Sequence, residues 1–166
     1  MPPRQLRPDD VILQPGEYFV GGGCRVRTVL GSCVSITLWA PRQRLGAMSH
    51  FLLASRPATA RRAPDARYGD EALDLMLREL GRAGITPGDC EAKIFGGGDM
   101  FPRQRGGALP IGLRNGEAAR ALLAARGIAV RTEHLFGLGH RHIVFETDTG
   151  AVWVRQPAPG ELRESP

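Results

Sequence analysis

The 166-residue sequence has no long apolar run. A membrane-spanning helix needs roughly 20 consecutive apolar residues, and no stretch of the chain approaches that length. The first ten residues carry acids and prolines without the apolar core of a secretory signal. We therefore expect a cytoplasmic protein with no membrane insertion.

Cysteines and aromatic residues are also scarce. The three cysteines, Cys24, Cys33 and Cys90, are odd in number and scattered, which favours free thiols over a disulfide framework. Aromatic residues make up 6% of the chain, and the net charge of +5 is thinly spread, so neither stacking surfaces nor a basic stripe indicates nucleic-acid binding. The charge is compatible with an acidic protein partner.

The composition is that of one folded domain. Hydrophobic residues make up 42% of the chain and charged residues 23%, and the length leaves no room for two full cores. Residues 1–15 and 156–166 are rich in proline and charge and lack apolar periodicity. They predict an N-terminal arm and a flexible C-terminal tail around a domain at residues 16–155.

Two helices and a larger number of short strands are predicted between the termini. Asp70 can cap a helix whose apolar residues recur at helical spacing up to Gly84, and Asn115 can cap a second helix that ends near Gly127. Alternating or apolar runs predict strands, with a turn at 41–45 and an exposed loop at 55–68. The predicted strands are residues 17–20, 26–30, 33–39, 46–53, 92–95, 128–135, 143–147 and 152–155. This pattern indicates a single layered α/β (α+β) domain, mostly antiparallel, with both helices packed against the sheet.

The hairpin at residues 33–53 carries a cysteine and a histidine that can share one sheet face. Positions 34, 36 and 38 are apolar and should face the core, so period-two alternation puts Cys33 on the opposite face, just after a Gly-Ser turn. A two-residue turn would place His50 directly opposite Cys33, and a four-residue turn would make the two diagonal neighbours. A turn with an odd number of residues would separate them.

A thiol and an imidazole so placed can perform nucleophilic catalysis. The imidazole can take the thiol proton and hold the thiolate as an ion pair, which then attacks an amide carbon. Backbone N–H groups of the turn at Gly31, Ser32 and Cys33 are candidate donors to the resulting oxyanion. Two structural readings stay open: Cys33 as a buried small hydrophobe, and His50 as a hydrogen-bonded sheet histidine.

Several ordered segments carry a family resemblance. LGSCV at 30–34 and GAMSHFLL at 46–53 resemble the central signature of the chemoreceptor glutamine deamidases, the CheD family. Further segments match in order: RYGD at 67–70, EAKIFGGG at 91–98, MF at 100–101 and IGLRN at 111–115. The likeness covers residues 16–155.

The resemblance implies a protein-glutamine glutaminase. Such an enzyme hydrolyses particular glutamine side chains to glutamates on methyl-accepting chemotaxis receptors, through a thioester and without a metal or organic cofactor. The family nucleophile and base fall on Cys33 and His50. The family threonine that orients the histidine falls on Thr28 in one register and on the position of Arg27 in the other. The partners implied are the cytoplasmic helical bundle of a chemoreceptor and a CheC-type CheY phosphatase. The alternative function is a non-catalytic chemotaxis adaptor that binds such a phosphatase.

Two further motifs need an interpretation. Gly96, Gly97 and Gly98 follow a predicted strand but lack the Gly-Lys-Ser/Thr of a phosphate loop, so we expect a turn whose backbone faces the substrate. The histidines at 134, 140 and 142 lie where the chain departs from the family pattern. No acid or cysteine accompanies them at ligand spacing, so no metal site is predicted.

Overall fold

The computed structural model describes residues 9–57, 63–102 and 107–157. Within these ranges the chain forms nine strands and two α-helices. The strands are β1 (Val11–Ile12), β2 (Tyr18–Gly21), β3 (Arg25–Leu30), β4 (Val34–Ala40), β5 (Leu45–Ser49), β6 (Glu91–Gly96), β7 (Val130–Leu135), β8 (Arg141–Glu146) and β9 (Val152–Arg155). The helices are α1 (Gly69–Arg82) and α2 (Ile111–Ala125).

The strands form two sheets rather than one. The larger sheet has the order β2-β5-β4-β6-β7 and the smaller one β1-β3-β8-β9. All neighbours are antiparallel except the pairs β6–β7 and β1–β3, which are parallel. The predicted α+β domain, mostly antiparallel and with two helices against a sheet, is confirmed. None of the helices in the described ranges is both long and apolar enough to cross a membrane.

The larger sheet separates two hydrophobic cores. On one face the alternate residues Val34, Ile36 and Leu38 of β4 pack against Leu73, Met76 and Leu80 of α1 and Ala119 and Leu123 of α2. On the other face Met48 and Phe95 pack against residues of the smaller sheet, including Val26 and Phe145. The molecule therefore has three layers. The helices cover one face of the larger sheet, and the smaller sheet covers the other face.

The predicted N-terminal arm is wrong for its described part. Residues Val11 and Ile12 pair with Val26 and Arg27 of β3, and Leu13 is buried. The Asp10 carboxylate accepts hydrogen bonds from the Arg25 and Arg27 guanidinium groups at 2.8 Å. Proline and charge hid this strand because its apolar part is only three residues long. Residues 1–8 lie outside the described residues.

Both helices begin earlier than predicted. Helix α1 begins at Gly69, with Tyr68 as its N-cap, so Asp70 lies in the first turn. Helix α2 begins at Ile111 after Pro110, so Asn115 lies inside the helix and does not cap it. The end of α1 is as predicted, since Gly84 has a φ of 79° in the left-handed region. The Asn115 side chain instead binds backbone carbonyls near Cys33.

The remaining loop and tail predictions are tested only in part. Residues 58–62 of the predicted loop at 55–68 and residues 158–166 of the predicted tail lie outside the described residues. In the described part of the loop, the Arg56 guanidinium forms an ion pair with Glu71 of α1 at 2.6 Å. Gln156 donates a hydrogen bond to the Leu138 carbonyl at 2.9 Å.

Candidate active site

The β4–β5 hairpin has the longer of the two even-numbered turns considered from sequence. Ala40 pairs with Leu45 and Thr37 with Met48, so four residues form the turn. The ladder continues in the same register to a bridge between Val34 and Phe51. Cys33 and His50 are consequently diagonal neighbours across the open end of the hairpin. Cys33 packs against the core between the two sheets, the face that also carries Met48.

His50 is held by a threonine of the opposite sheet. The His50 Nδ1 atom lies 2.6 Å from the Thr28 Oγ1 atom, and that hydroxyl donates to the Leu13 carbonyl at 2.8 Å. A carbonyl oxygen can only accept, and a hydroxyl has one proton, so Nδ1 must donate to Thr28. The imidazole is thereby in the tautomer whose Nε2 atom has a free lone pair. The Leu13 carbonyl, in the segment predicted as an arm, is the final acceptor of these two hydrogen bonds.

Burial keeps both reactive side chains neutral. It lowers the pKa of His50 to about 4, because a buried imidazolium loses its hydration, and the residue is 2% exposed. It also raises the pKa of the Cys33 thiol. Burial therefore favours a thiol beside a neutral imidazole over the thiolate–imidazolium pair considered from the sequence.

The turn before β4 is bound to the glycine run after β6. The Gly98 N–H donates to the Gly31 carbonyl and the Gly97 N–H to the Cys33 carbonyl, both at 2.9 Å. A Cβ atom on Gly96 would lie 2.3 Å from the Cys33 carbonyl oxygen, and Gly96 has a φ of 111°. Only glycine permits this approach and this backbone conformation.

The glycine run expected to face the substrate packs mainly against protein backbone. Gly96, Gly97 and Gly98 are all buried, and their nearest neighbours are protein backbone. A Cβ atom on Gly97 would contact the Gly112 carbonyl, and one on Gly98 the Gly139 carbonyl. The run supports the Cys33 turn, and of its three residues Gly97 also borders a cavity of about 270 Å³, next to Pro110 and Phe136.

Asn115 is the site residue that the sequence analysis assigned wrongly. Its side-chain amide donates to the Ser32 carbonyl at 3.1 Å and to the Leu52 carbonyl at 2.9 Å. Helical spacing could have indicated this position, because Asn115 shares the buried face of α2 with Gly112, Ala119 and Leu123. A polar residue in a buried helical stripe needs partners elsewhere in the fold.

A cavity of about 360 Å³ reaches His50 from the side of the smaller sheet. Its lining includes His50 and Thr28 together with Val29 and His142. The other histidines considered from sequence make protein contacts: His134 Nδ1 lies 2.8 Å from an Arg141 guanidinium nitrogen, and the His140 and His142 rings meet edge to face at 5.3 Å. Across the described ranges, no three His, Cys, Asp or Glu side chains are grouped to hold a metal ion.

Comparison with known proteins places this arrangement in a family. Residues 52–156 match the family model described as CheD chemotactic sensory transduction. A probable chemoreceptor glutamine deamidase CheD 2 of Albidiferax ferrireducens is 59% identical over 159 residues, which cover 94% of this chain and 92% of that protein. A probable chemoreceptor glutamine deamidase CheD 3 of Dechloromonas aromatica is 43% identical over 159 residues and 94% of both chains. The similarity extends to a protein of the same function name in Thermococcus kodakarensis, 36% identical over 82% of this chain and 84% of its own. The resemblance noted in the sequence is confirmed: the chain belongs to the CheD family.

Proposed function

We propose that this protein is a protein-glutamine glutaminase that converts particular glutamine side chains of chemotaxis receptors to glutamates. The substrate class comes from the names of its relatives, which are chemoreceptor glutamine deamidases. The observation that carries the chemistry is the hydrogen-bond chain from Leu13 through Thr28 to His50. It leaves the Nε2 lone pair of His50 available as a base on the sheet face to which Cys33 belongs.

The first step forms a thioester. His50 Nε2 takes the Cys33 proton while Sγ attacks the side-chain carbonyl carbon of the glutamine, which gives a tetrahedral oxyanion. The intermediate collapses as its carbon–nitrogen bond breaks, and the imidazolium gives its proton to the leaving nitrogen, so ammonia departs. Because burial disfavours charge on both groups, the proton transfer accompanies the attack instead of preceding it.

The second step hydrolyses the thioester. The now neutral His50 takes a proton from water, the hydroxide attacks the thioester carbon, and the carbon–sulfur bond breaks. The imidazolium returns its proton to sulfur, and the receptor leaves with a glutamate. The cavity that borders His50 and Thr28 offers a route for this water.

The oxyanion needs donors that are in place before the reaction. Within the described residues, the Cys33 N–H donates to no protein acceptor. The carbonyls of Gly31, Ser32 and Cys33 are all taken by donors of the protein: the Gly98 N–H, the Asn115 amide and the Gly97 N–H. We assign the Cys33 N–H as an oxyanion donor, with Gly31 and Ser32 shaping the turn that presents it.

The proposed substrate and surroundings follow from the same assignment. The substrate is the cytoplasmic helical bundle of a methyl-accepting receptor, and the protein acts in the cytoplasm. A CheC-type CheY phosphatase is the proposed regulatory partner. Binding of that phosphatase without catalysis is the rival function.

Mass spectrometry of a receptor cytoplasmic fragment tests the proposal. Incubation with the wild-type protein should convert specific glutamines to glutamates, and Cys33→Ala should abolish the conversion while Cys24→Ala retains it. Acid quenching during turnover should trap receptor fragment attached to Cys33. Receptor glutamines left unchanged by the wild-type protein would overturn the proposal, and phosphatase binding that survives Cys33→Ala would then favour the adaptor.

A further inference from the structure

We propose that Asn115 is a positioning residue that orients the Ser32–Cys33 peptide and thereby presents the Cys33 N–H to the oxyanion. The inference rests on the proposed deamidation and adds to it a residue that does not itself touch the reacting atoms. Asn115 is 1% exposed and lies one turn into α2. Its side-chain nitrogen is 3.1 Å from the Ser32 carbonyl oxygen and 2.9 Å from the Leu52 carbonyl oxygen.

The contacts determine the orientation of the amide. Both neighbours are carbonyl oxygens, which accept hydrogen bonds and cannot donate them. The NH₂ group of Asn115 must therefore face them, and each of its two protons has one acceptor. A buried amide with both protons used in this way is held in one rotamer, because loss of either bond would leave a part-buried carbonyl without its donor.

No backbone N–H of the described residues donates to the Ser32 carbonyl. The flanking carbonyls of Gly31 and Cys33 accept from the Gly98 and Gly97 N–H groups. Among the described residues, Asn115 is the sole donor to Ser32. Three consecutive carbonyls are thus bound, and the middle one depends on a side chain.

Binding the Ser32 carbonyl also orients the Cys33 N–H. In a trans peptide the carbonyl and the following N–H point in opposite directions. Helix α2 covers the face of the larger sheet that carries Val34 and Ile36, whereas Cys33 packs on the face toward the smaller sheet. A Ser32 carbonyl turned toward α2 therefore turns the Cys33 N–H toward the face of the Cys33 side chain.

The second hydrogen bond, to the Leu52 carbonyl, links the turn that carries Cys33 to the segment that carries His50. Leu52 stands opposite Cys33 in the hairpin register and follows His50 by two residues. Asn115 therefore spans the open end of the hairpin and binds the segment before β4 and the segment after β5. The helix comes close enough because Gly112 lies against the glycine run, where a Cβ atom would be 2.5 Å from the Gly97 carbonyl oxygen.

Two substitutions separate the hydrogen bonds from the volume of the side chain. Asn115→Ala removes both, whereas Asn115→Leu keeps a side chain of similar size without donors. Leu123→Val, a shortened core residue on the same helix face, is the matched control for lost packing. Each protein is assayed for kcat and KM on the receptor fragment and for alkylation of Cys33 by iodoacetamide. Alkylation needs the thiol but forms no oxyanion.

We expect both Asn115 variants to lower kcat by about tenfold to a hundredfold, somewhat less than removal of an oxyanion donor itself, with KM within about twofold. Alkylation of Cys33 should stay within about twofold, and Leu123→Val should leave kcat unchanged. An unchanged kcat in both variants would overturn the inference. An equal fall in alkylation and kcat would also overturn it, because the turn would then have lost its structure and not only its donor.

Hydrogen exchange in the wild-type protein keeps the inference testable if neither variant folds. The Val34 N–H donates to the Phe51 carbonyl at 3.1 Å, whereas the Cys33 N–H donates to no acceptor among the described residues. After correction for intrinsic rates, the Cys33 amide should exchange at least about tenfold faster than that of Val34. Equal or stronger protection of Cys33 would exclude an open donor. If the wild-type protein fails to deamidate receptors, the proposed function fails, whereas normal deamidation with an unaffected Asn115→Ala protein counts against this inference alone.

Discussion

The two faces of the larger sheet are built from different chemistry. The face under the helices is closed by apolar side chains, among them Ile36, Leu38 and Leu80. The face toward the smaller sheet mixes apolar residues with Cys33 and His50, and His50 contacts Thr28 of that smaller sheet. The first face stabilises the fold mainly by burial of apolar side chains, whereas the second must satisfy more polar groups in a dry interior.

This difference indicates how the fold supports a reactive pair. Polar groups left unpaired between the sheets would cost stability, and the Thr28–His50–Leu13 chain offsets part of that cost with two hydrogen bonds. The offset is incomplete, since the Ser35 hydroxyl, buried in β4, has no partner among the described residues. The helix-covered face supplies stability that the polar face does not.

Replacing a cysteine on each face should give the largest contrast. Cys33→Ala removes the nucleophile, so turnover should fall by at least about a thousandfold. Cys90→Ala shortens a residue of the helix-covered core and should leave turnover intact. Rates of glutamate formation measure both. Residual turnover of Cys33→Ala within about tenfold of the wild-type rate would contradict a thiol mechanism.

Opening a cavity under the helices should affect stability alone. Leu80 is 1% exposed, and Leu80→Ala should lower the free energy of unfolding by about 2 to 5 kcal/mol. Turnover per folded molecule should not change, because Leu80 packs on the face away from Cys33. Urea denaturation and kcat on the same samples test the separation. A fall in kcat under conditions in which the variant is still fully folded would show that the two faces are coupled.

Acid should destabilise the protein through the polar face. The pKa of His50 is lowered from 6.5 to about 4, so the unfolded chain binds a proton more readily than the folded one between those values. Stability from a neutral His50 is present above pH 6.5 and is lost as the pH falls toward 4, by about 3 kcal/mol in total. Urea denaturation of the wild-type protein and His50→Gln at several pH values measures this contribution. Parallel profiles for the two proteins would be inconsistent with a buried neutral histidine.

Changing the threonine should alter the base without removing it. Thr28→Val loses the acceptor for Nδ1, so the imidazole can rotate or change tautomer, and kcat should fall by about tenfold to a hundredfold. Thr28→Ser keeps the hydroxyl and should retain most of the activity. Steady-state kinetics on the receptor fragment distinguish the two. Equal activity of the Val and Ser variants would mean that the hydroxyl is not needed.

Salt should produce the smallest effect. The net charge of +5 should attract an acidic receptor bundle, and added salt screens such attraction. The apparent KM should rise by a few-fold from low to physiological ionic strength, with kcat unchanged. A KM that does not depend on salt would show that long-range electrostatic attraction does not contribute to receptor binding.

Periodicity predicted most of the secondary structure and, in the hairpin at 33–53, the sheet face on which residues lie. Alternation in β4 placed Val34, Ile36 and Leu38 in the core, and helical spacing placed Leu73, Met76 and Leu80 under α1. These predictions hold because local spacing alone decides which side chains share a face. Periodicity did not predict the short strand β1, because its apolar run is only three residues long. It also did not predict the start of α2, because a helix that begins directly after a proline gives a weak pattern.

The sequence alone determined that a cysteine and a histidine stand near the open end of one hairpin. Tertiary structure decided the rest. A four-residue turn placed them diagonally, Thr28 came from the other sheet, and Asn115 lies 83 residues after Ser32, whose carbonyl it binds. The reason is physical, because hydrogen bonds between residues distant in sequence depend on how layers pack, and spacing along the chain carries no record of that. Burial likewise set the charge state of the pair, which the residue types could not indicate.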